Sequence, residues 1–328
     1  MPLELGMPAA TRFPTPPEGL IVDLVTPLTP GGRLDGESFS RLVERIAPVA
    51  GGLLVGSPQA GEALDLSFGT RLELLSQALA AVDGRTALLW GITGQSQEET
   101  RELALACREE LGRRHYSRPI FLADLPLWYH SNRGLPQACQ DLLEAAGLPL
   151  LLLNLPEVVR RRGVRFKHLN IRTHVFKRLA ALPGVAGLIY QGEMRRFLNY
   201  HYAAAARPGL VFYEADEASF LTRPGGWGVV SASAQLLPEL WRKVVQVCLH
   251  PEEAAEDPEG RYELMENSQL LLKVARLCRA APAALVKAAL AAQGVLASAA
   301  TVPGTPPAPA AQRDELLALI AGPLRGNL

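Results

Sequence analysis

Seven polar side chains fall where apolar runs end, and chemistry could be built on them: Asp23, Glu62, Gln95, Asp124, Glu157, Glu214 and Asp216. Asp23 stands out because it interrupts an apolar run, Leu20–Val25. A carboxylate inside such a run has to be paired, hydrated or bound to a cation, since burying it alone is costly. One reading is a salt bridge or hydrogen bond within the rim of the fold. The other is a cation or polyol site built from Asp23, Glu62 and Asp124 with His130 nearby, the oxygen-rich ligation that hard divalent cations take. No ligand motif with tight spacing accompanies these residues, so no metal and no cofactor is assigned.

A second group is basic. Arg160, Arg161 and Arg162 are followed by Arg165, Lys167 and His168. A guanidinium suits bidentate capture of a carboxylate; the alternative is a solvated loop or a subunit contact. His115, His174, His201 and His250 fall on predicted helices or their ends, where packing or surface roles are expected. Tyr200, His201 and Tyr202 read as a packed or interface patch.

The elements that must position these groups follow a regular rhythm. Short, nearly continuous apolar runs predict strands at 20–25, 52–55, 87–91, 120–123, 150–153, 185–190, 210–213 and 227–231. Such runs suit strands buried on both faces of a parallel sheet. Helical stripes lie between them, such as Phe39, Leu42, Val43 and Ile46, or Leu72, Leu75, Leu79 and Val82. Asp35 and Ser96 supply helix starts. Eight strand–helix units without a glycine-rich phosphate loop after the first strand predict a (β/α)8 barrel, a TIM barrel, rather than an open doubly wound sheet. After Ser231 the rhythm stops, and helices are predicted at 238–249, 262–279, 282–300 and 313–321 with an extended Pro- and Ala-rich arm at 301–311. The predicted organisation is an N-terminal arm (1–17), the barrel (18–237) and a C-terminal helical extension (238–328).

The chain has 328 residues, with 33 basic and 33 acidic side chains. A neutral chain has no long-range field to gather nucleic acid or an anionic membrane, and no partner of either kind is predicted. The four cysteines, Cys107, Cys139, Cys248 and Cys278, have neither metal nor redox spacing and read as buried thiols in the reducing cytoplasm. The first seventeen residues do not form a secretory leader, and no apolar run is long enough to cross a bilayer.

Several segments resemble one family in order and spacing. Val25-Thr26-Pro27-Leu28 with Gly31-Gly32-Arg33-Leu34-Asp35, then Gly61-Glu62, Asn154 with Pro156, Gly228-Val229-Val230-Ser231 and Val286-Lys287-Ala288-Ala289 are similar to stretches of the dihydrodipicolinate synthase and N-acetylneuraminate lyase family. The resemblance implies a homo-oligomer, a dimer or tetramer, and a site at the C-terminal mouth of the barrel that takes a small carboxylate or keto acid. It also implies a lysine on the sixth strand that forms a Schiff base with the ketone. That position falls on Ile189, and a hydrocarbon cannot form an imine.

Other positions implied by the resemblance have changed too. The family's proton-relaying tyrosine falls on Leu153, and its paired threonines on Gln59-Ala60. The tyrosine after the fourth strand falls on Leu127, with Trp128 and Tyr129 close by. The arginine that holds the substrate carboxylate corresponds to Arg161 or Arg162. Of the five lysines, Lys167, Lys177, Lys243, Lys273 and Lys287, none is expected in the mouth; Lys287 belongs to a helix that is expected to pack outside the barrel. The candidate ligand-binding set is Asp23, Gln59, Glu62, Asp124, Trp128, Tyr129, Asn154, Arg161, Arg162 and Ile189, with no catalytic residue assigned. The expected function is a divergent family member without Schiff-base aldolase activity, a pseudoenzyme or small-carboxylate binder. The competing expectation is a lyase or aldolase that acts on a keto-acid-like substrate through carboxylate or metal-assisted chemistry.

Overall fold

A computed structural model describes residues 13–116, 118–164, 168–254 and 258–325, with side chains not described over 253–263 and beyond 322. Eight strands appear in chain order: β1 (Gly19–Asp23), β2 (Gly52–Val55), β3 (Ala87–Gly91), β4 (Ile120–Asp124), β5 (Leu150–Asn154), β6 (Val185–Tyr190), β7 (Val211–Glu214) and β8 (Gly228–Ser231). All neighbours pair in parallel, and β1 pairs with β8 through Leu20↔Val229 and Ile21↔Val230, so the sheet closes into a barrel. The apolar runs form strands because both of their faces are covered, one by the barrel interior and one by the helices. Leu20, Leu53, Leu88, Phe121, Leu151 and Val229 are all buried.

The helices between strands are α1 (Gly36–Ile46), α2 (Phe68–Val82), α3 (Gln97–Arg114), α4 (Leu135–Ala146), α5 (Pro156–Arg161), α6 (Thr173–Ala180), α7 (Met194–Ala203) and α8 (Glu217–Thr222). The start signals read from the sequence act as caps. Asp35 accepts from the Ser38 amide at 3.1 Å, and Ser96 accepts from that of Glu99 at 3.2 Å. The stripe Phe39, Leu42, Val43 and Ile46 is buried.

After β8 come α9 (Pro238–Leu249), α10 (Pro258–Cys278), α11 (Pro282–Ala292) and α12 (Ala310–Arg325). The helix predicted over 282–300 stops at Ala292. Gly294 follows with φ of 73°, a left-handed residue of the kind that commonly terminates helices. Among the described residues, no helix is long and apolar enough to cross a membrane.

Residues 13–17 of the predicted N-terminal arm are fastened to the strands. The Trp227 indole donates to the Pro16 carbonyl at 2.9 Å, and the Tyr213 hydroxyl donates to that of Pro17. Residues 1–12 lie outside the described residues.

Two close approaches hold the strand ends near the mouth. A Cβ on Gly91 would sit 1.9 Å from the Gly56 carbonyl oxygen, and one on Gly61 would sit 2.4 Å from the Ser57 amide nitrogen. Only glycine lets the turn after β2 fold back against β3 and onto itself.

Candidate functional site

The cavity at the C-terminal strand ends has a volume of about 70 Å³, room for a few water molecules or a ligand of a few heavy atoms. Its floor is aliphatic. Leu54, Leu153, Ile189 and Val230 line it from β2, β5, β6 and β8, and Leu153 pairs in register with Ile189. Its polar lining comes from Asp23, Ser57, Gln59, Gln191 and Glu217, and Glu157, Asp216 and Arg279 form the rim. Among the described residues, no lysine lines the cavity.

Asp23, at the end of β1, is buried, and its Oδ1 has no hydrogen-bond partner. Burial pushes its carboxyl up to about 7, against hydrogen bonds from Ser57 and the Ala60 backbone, while Glu217 pushes it further up. Glu217 begins α8 and turns inward. Its Oε1 accepts from the Ser231 hydroxyl at 2.5 Å and the Ser233 amide at 2.8 Å. Burial raises the Glu217 carboxyl as well, more than these donors lower it. At the rim, Arg279 donates to Glu157 at 2.6 Å and to Asp216 at 2.7 Å, clamping the end of α10 to α5 and to the turn before α8.

Of the residues singled out in the sequence, Asp23, Gln59, Leu153 and Ile189 meet in this cavity. Glu157 and Asp216 stand at its rim, and the others are engaged elsewhere. Glu62 does not join Asp23: it is buried against Lys287 and accepts from the Val302 amide at 2.9 Å and the Thr305 hydroxyl at 2.7 Å. Asp124 accepts from the Thr93 hydroxyl at 3.0 Å and the Tyr129 hydroxyl at 2.6 Å. Burial pushes Asp124 up to about 6 in spite of these donors and Arg71. His130 meets the Ser131 carbonyl at 2.6 Å.

The cation site expected from Asp23, Glu62, Asp124 and His130 is therefore corrected, because two of its carboxylates satisfy their own networks. Among the described residues, no three His, Cys, Asp or Glu side chains gather to hold a metal ion.

Asn154 is likewise structural. It donates to Asn170 at 2.8 Å and accepts from the Ile171 amide at 2.9 Å, which anchors the segment before α6. Trp128 donates to Gln95 at 3.1 Å, and Arg162 lies 5.4 Å over its ring. Arg161 reaches Asp65 at 3.7 Å beside an outer cleft. Neither arginine lines the mouth cavity, so the carboxylate-capturing role expected of them is not available there. Arg165 and Lys167 lie outside the described residues.

Lys287 also lies away from the mouth cavity. Its helix, α11, packs against the loop after β2, and the side chain is fully buried, donating to Glu62 and to the Ala300 carbonyl. Lys177, Lys243 and Lys273 are exposed. Cys107, Cys139 and Cys278 are buried free thiols as expected, but Cys248 is only half-buried.

The sequence reading missed Glu217, Gln191 and Arg279. Gln191 directly follows β6, and Glu217 follows the cap residue Asp216, so both were legible as residues next to strand ends. Arg279 gave no such signal, because it reaches the mouth from a helix beyond the barrel.

A closed parallel barrel with its cavity at the C-terminal strand ends defines a TIM-barrel protein. Residues 16–321 match the dihydrodipicolinate synthetase family, and the chain belongs to that family. It is 25% identical over 294 residues to the 4-hydroxy-tetrahydrodipicolinate synthase of Nitrosospira multiformis, covering 88% of this chain and 90% of that protein. The solved 4-hydroxy-tetrahydrodipicolinate synthase of Methylacidiphilum fumariolicum SolV superposes with a TM-score of 0.77 at 20% identity, over 94% of this chain and 97% of that one. A family protein encoded by a prophage of E. coli K12, solved in complex with pyruvate, gives 0.75 at 18% identity, over 93% and 97%. At such identities the structural likeness establishes the common barrel.

Proposed function

We propose that this chain keeps the family's small-molecule cavity at the barrel mouth but does not run imine chemistry in it. One observation carries the reading: Ile189 and Leu153 form the cavity floor, and among the described residues no lysine lines it. Imine formation needs an amine nitrogen to attack a ketone and expel water, and an alkyl side chain supplies none. The buried Lys287 does not fill the role, since its donors are directed to Glu62 and Ala300.

The test is to mix the protein with pyruvate and borohydride and read the intact mass. No adduct is expected for the natural chain, whereas Ile189→Lys, which returns an amine to the floor, is expected to become trappable. A pyruvyl adduct on any natural lysine would overturn the proposal.

A second reading, proton transfer in a lyase or aldol-type reaction, is favoured by the Asp23 carboxyl, which burial holds at about 7, in the range useful to a general acid or base. A keto-acid cleavage screen on the natural chain and on Asp23→Asn separates the two. Self-association belongs to the leading reading as well, supported by Met194, Leu198 and Tyr202, which leave an apolar stripe exposed along α7.

A further inference from the structure

The lining of the mouth cavity is biased in charge and in hydrogen-bonding sense. Four carboxylates, Asp23, Glu157, Asp216 and Glu217, face one guanidinium, Arg279. That guanidinium is already shared between Glu157 and Asp216. Deeper in, Asp23 and Glu217 have no cationic partner among the described residues; the donors on Glu217 are a hydroxyl and an amide, and those on Asp23 are likewise neutral.

A second observation, independent of the acidic groups, points the same way. Gln191 lines the cavity, is 6% exposed, and its Oε1 is unpartnered like Asp23 Oδ1. Two buried acceptors without donors, in one small cavity, each leave a desolvation cost that a donor-bearing ligand would remove. An anionic ligand would meet carboxylates and, among the described lining residues, no free cation to hold it. A divalent metal would need more converging ligands than Asp23 and Glu217 supply.

Building on the reading that the mouth binds a small molecule without imine chemistry, we propose that its ligand is a small organic cation. A protonated amine would have its ammonium group donating to Asp23 and Glu217 and to the Gln191 carbonyl, with its short apolar stem against Leu153, Ile189 and Val230. An ammonium has three donors, matching the acceptors available, and its charge supplies the counter-ion that Asp23 and Glu217 lack.

The experiment compares three probes that share a shape and differ in head group: propylammonium, n-propanol and propionate, titrated calorimetrically into the full-length protein at neutral pH. Saturable binding of propylammonium alone is expected, weakened at least about tenfold by Asp23→Asn, the loss of one charge-assisted contact. Gln191→Leu, which leaves the carboxylates in place, is expected to weaken it several-fold and serves if Asp23→Asn does not melt cooperatively. Equal binding of n-propanol, preferential binding of propionate, or an amine affinity unchanged in Gln191→Leu would each overturn the proposal. So would full displacement of the amine by potassium or calcium ions. Pyruvate trapping by borohydride is a separate readout: an adduct there overturns the absence of imine chemistry, while the probe titration alone decides the ligand class.

Discussion

Lys287 and Glu62 offer the sharpest energetic test of how the C-terminal region is joined to the barrel. Both side chains are almost completely buried, at 0% and 2% exposure, and Glu62 sits with φ of 53°, a left-handed conformation uncommon for a residue with a side chain. Burial pushes the Lys287 ammonium below the usual lysine range, and Glu62 pulls it back up. The pair fixes the segment carrying Ala300, Val302 and Thr305 against the loop that carries Gln59. Lys287→Met removes the counter-charge and leaves a desolvated carboxylate, at a cost of about 3–5 kcal/mol. Against a total stability of roughly 5–15 kcal/mol, that is a large share, with an expected fall in melting temperature on the order of 10 °C. Glu62→Gln should cost a similar amount. The double variant should recover much of the loss, because a neutral buried pair carries no uncompensated charge. Urea unfolding of the four proteins measures the cycle. A Lys287→Met loss under about 1 kcal/mol, or strictly additive single effects, would refute the buried pair.

Two further outcomes follow from the mouth. Asp23 and Glu214 are each raised to about 7 in the folded chain, and Asp124 to about 6, so the folded state holds protons that the unfolded state gives up from about pH 4 upward. Their contribution to stability is full below the unfolded values and is lost as pH rises through 6 to 7. Asp23→Asn should flatten the fall in melting temperature between pH 4 and 8 and stabilise the chain at pH 8, on the order of 4 kcal/mol for a shift of this size; parallel profiles for the two proteins would contradict it. Arg279→Ala should cost less than about 1 kcal/mol, since the guanidinium is half-exposed. It should nonetheless speed dissociation of propylammonium in stopped-flow by unfastening α10 from the rim, and unchanged kinetics would show that Arg279 does not close the mouth.

The barrel was legible in the sequence because a strand covered on both faces leaves a run of branched and apolar residues, and eight of them recur with helical stripes between. The ends drifted by one or two residues where backbone pairing, which side chains do not record, decides them: the first strand ends at Asp23, the seventh runs Val211–Glu214 and the eighth starts at Gly228. The site was legible only in part, and the division is physical. Asp23, Gln59, Leu153 and Ile189 sit on or beside strands, so placing the strands places them. Asp124 ends β4 and Glu62 lies in the loop after β2, yet each is consumed by a partner that only the folded chain supplies. Lys287 is far away in sequence, and Tyr129 comes from the turn before α4. A carboxylate at a barrel rim is therefore ambiguous until its donors are known.

Asp23 and Ile189 gain meaning when taken together. The resemblance to the family implies a cationic or potentially cationic nitrogen where Ile189 stands, and an anionic substrate suits such a floor. In this chain the floor is hydrocarbon at that point, and the nearby ionisable groups are the acids Asp23 and Glu217. Removing the lysine alone would leave a neutral pocket; pairing its absence with an aspartate on β1 reverses the sign of the field that a ligand meets. On the proposed reading, a pocket of reversed sign would not retain the preference of the original one, because the carboxylate head group that a lysine-bearing floor attracts would be repelled. That inversion, rather than the missing nitrogen alone, separates a barrel that has only stopped its chemistry from one that selects a different class of ligand.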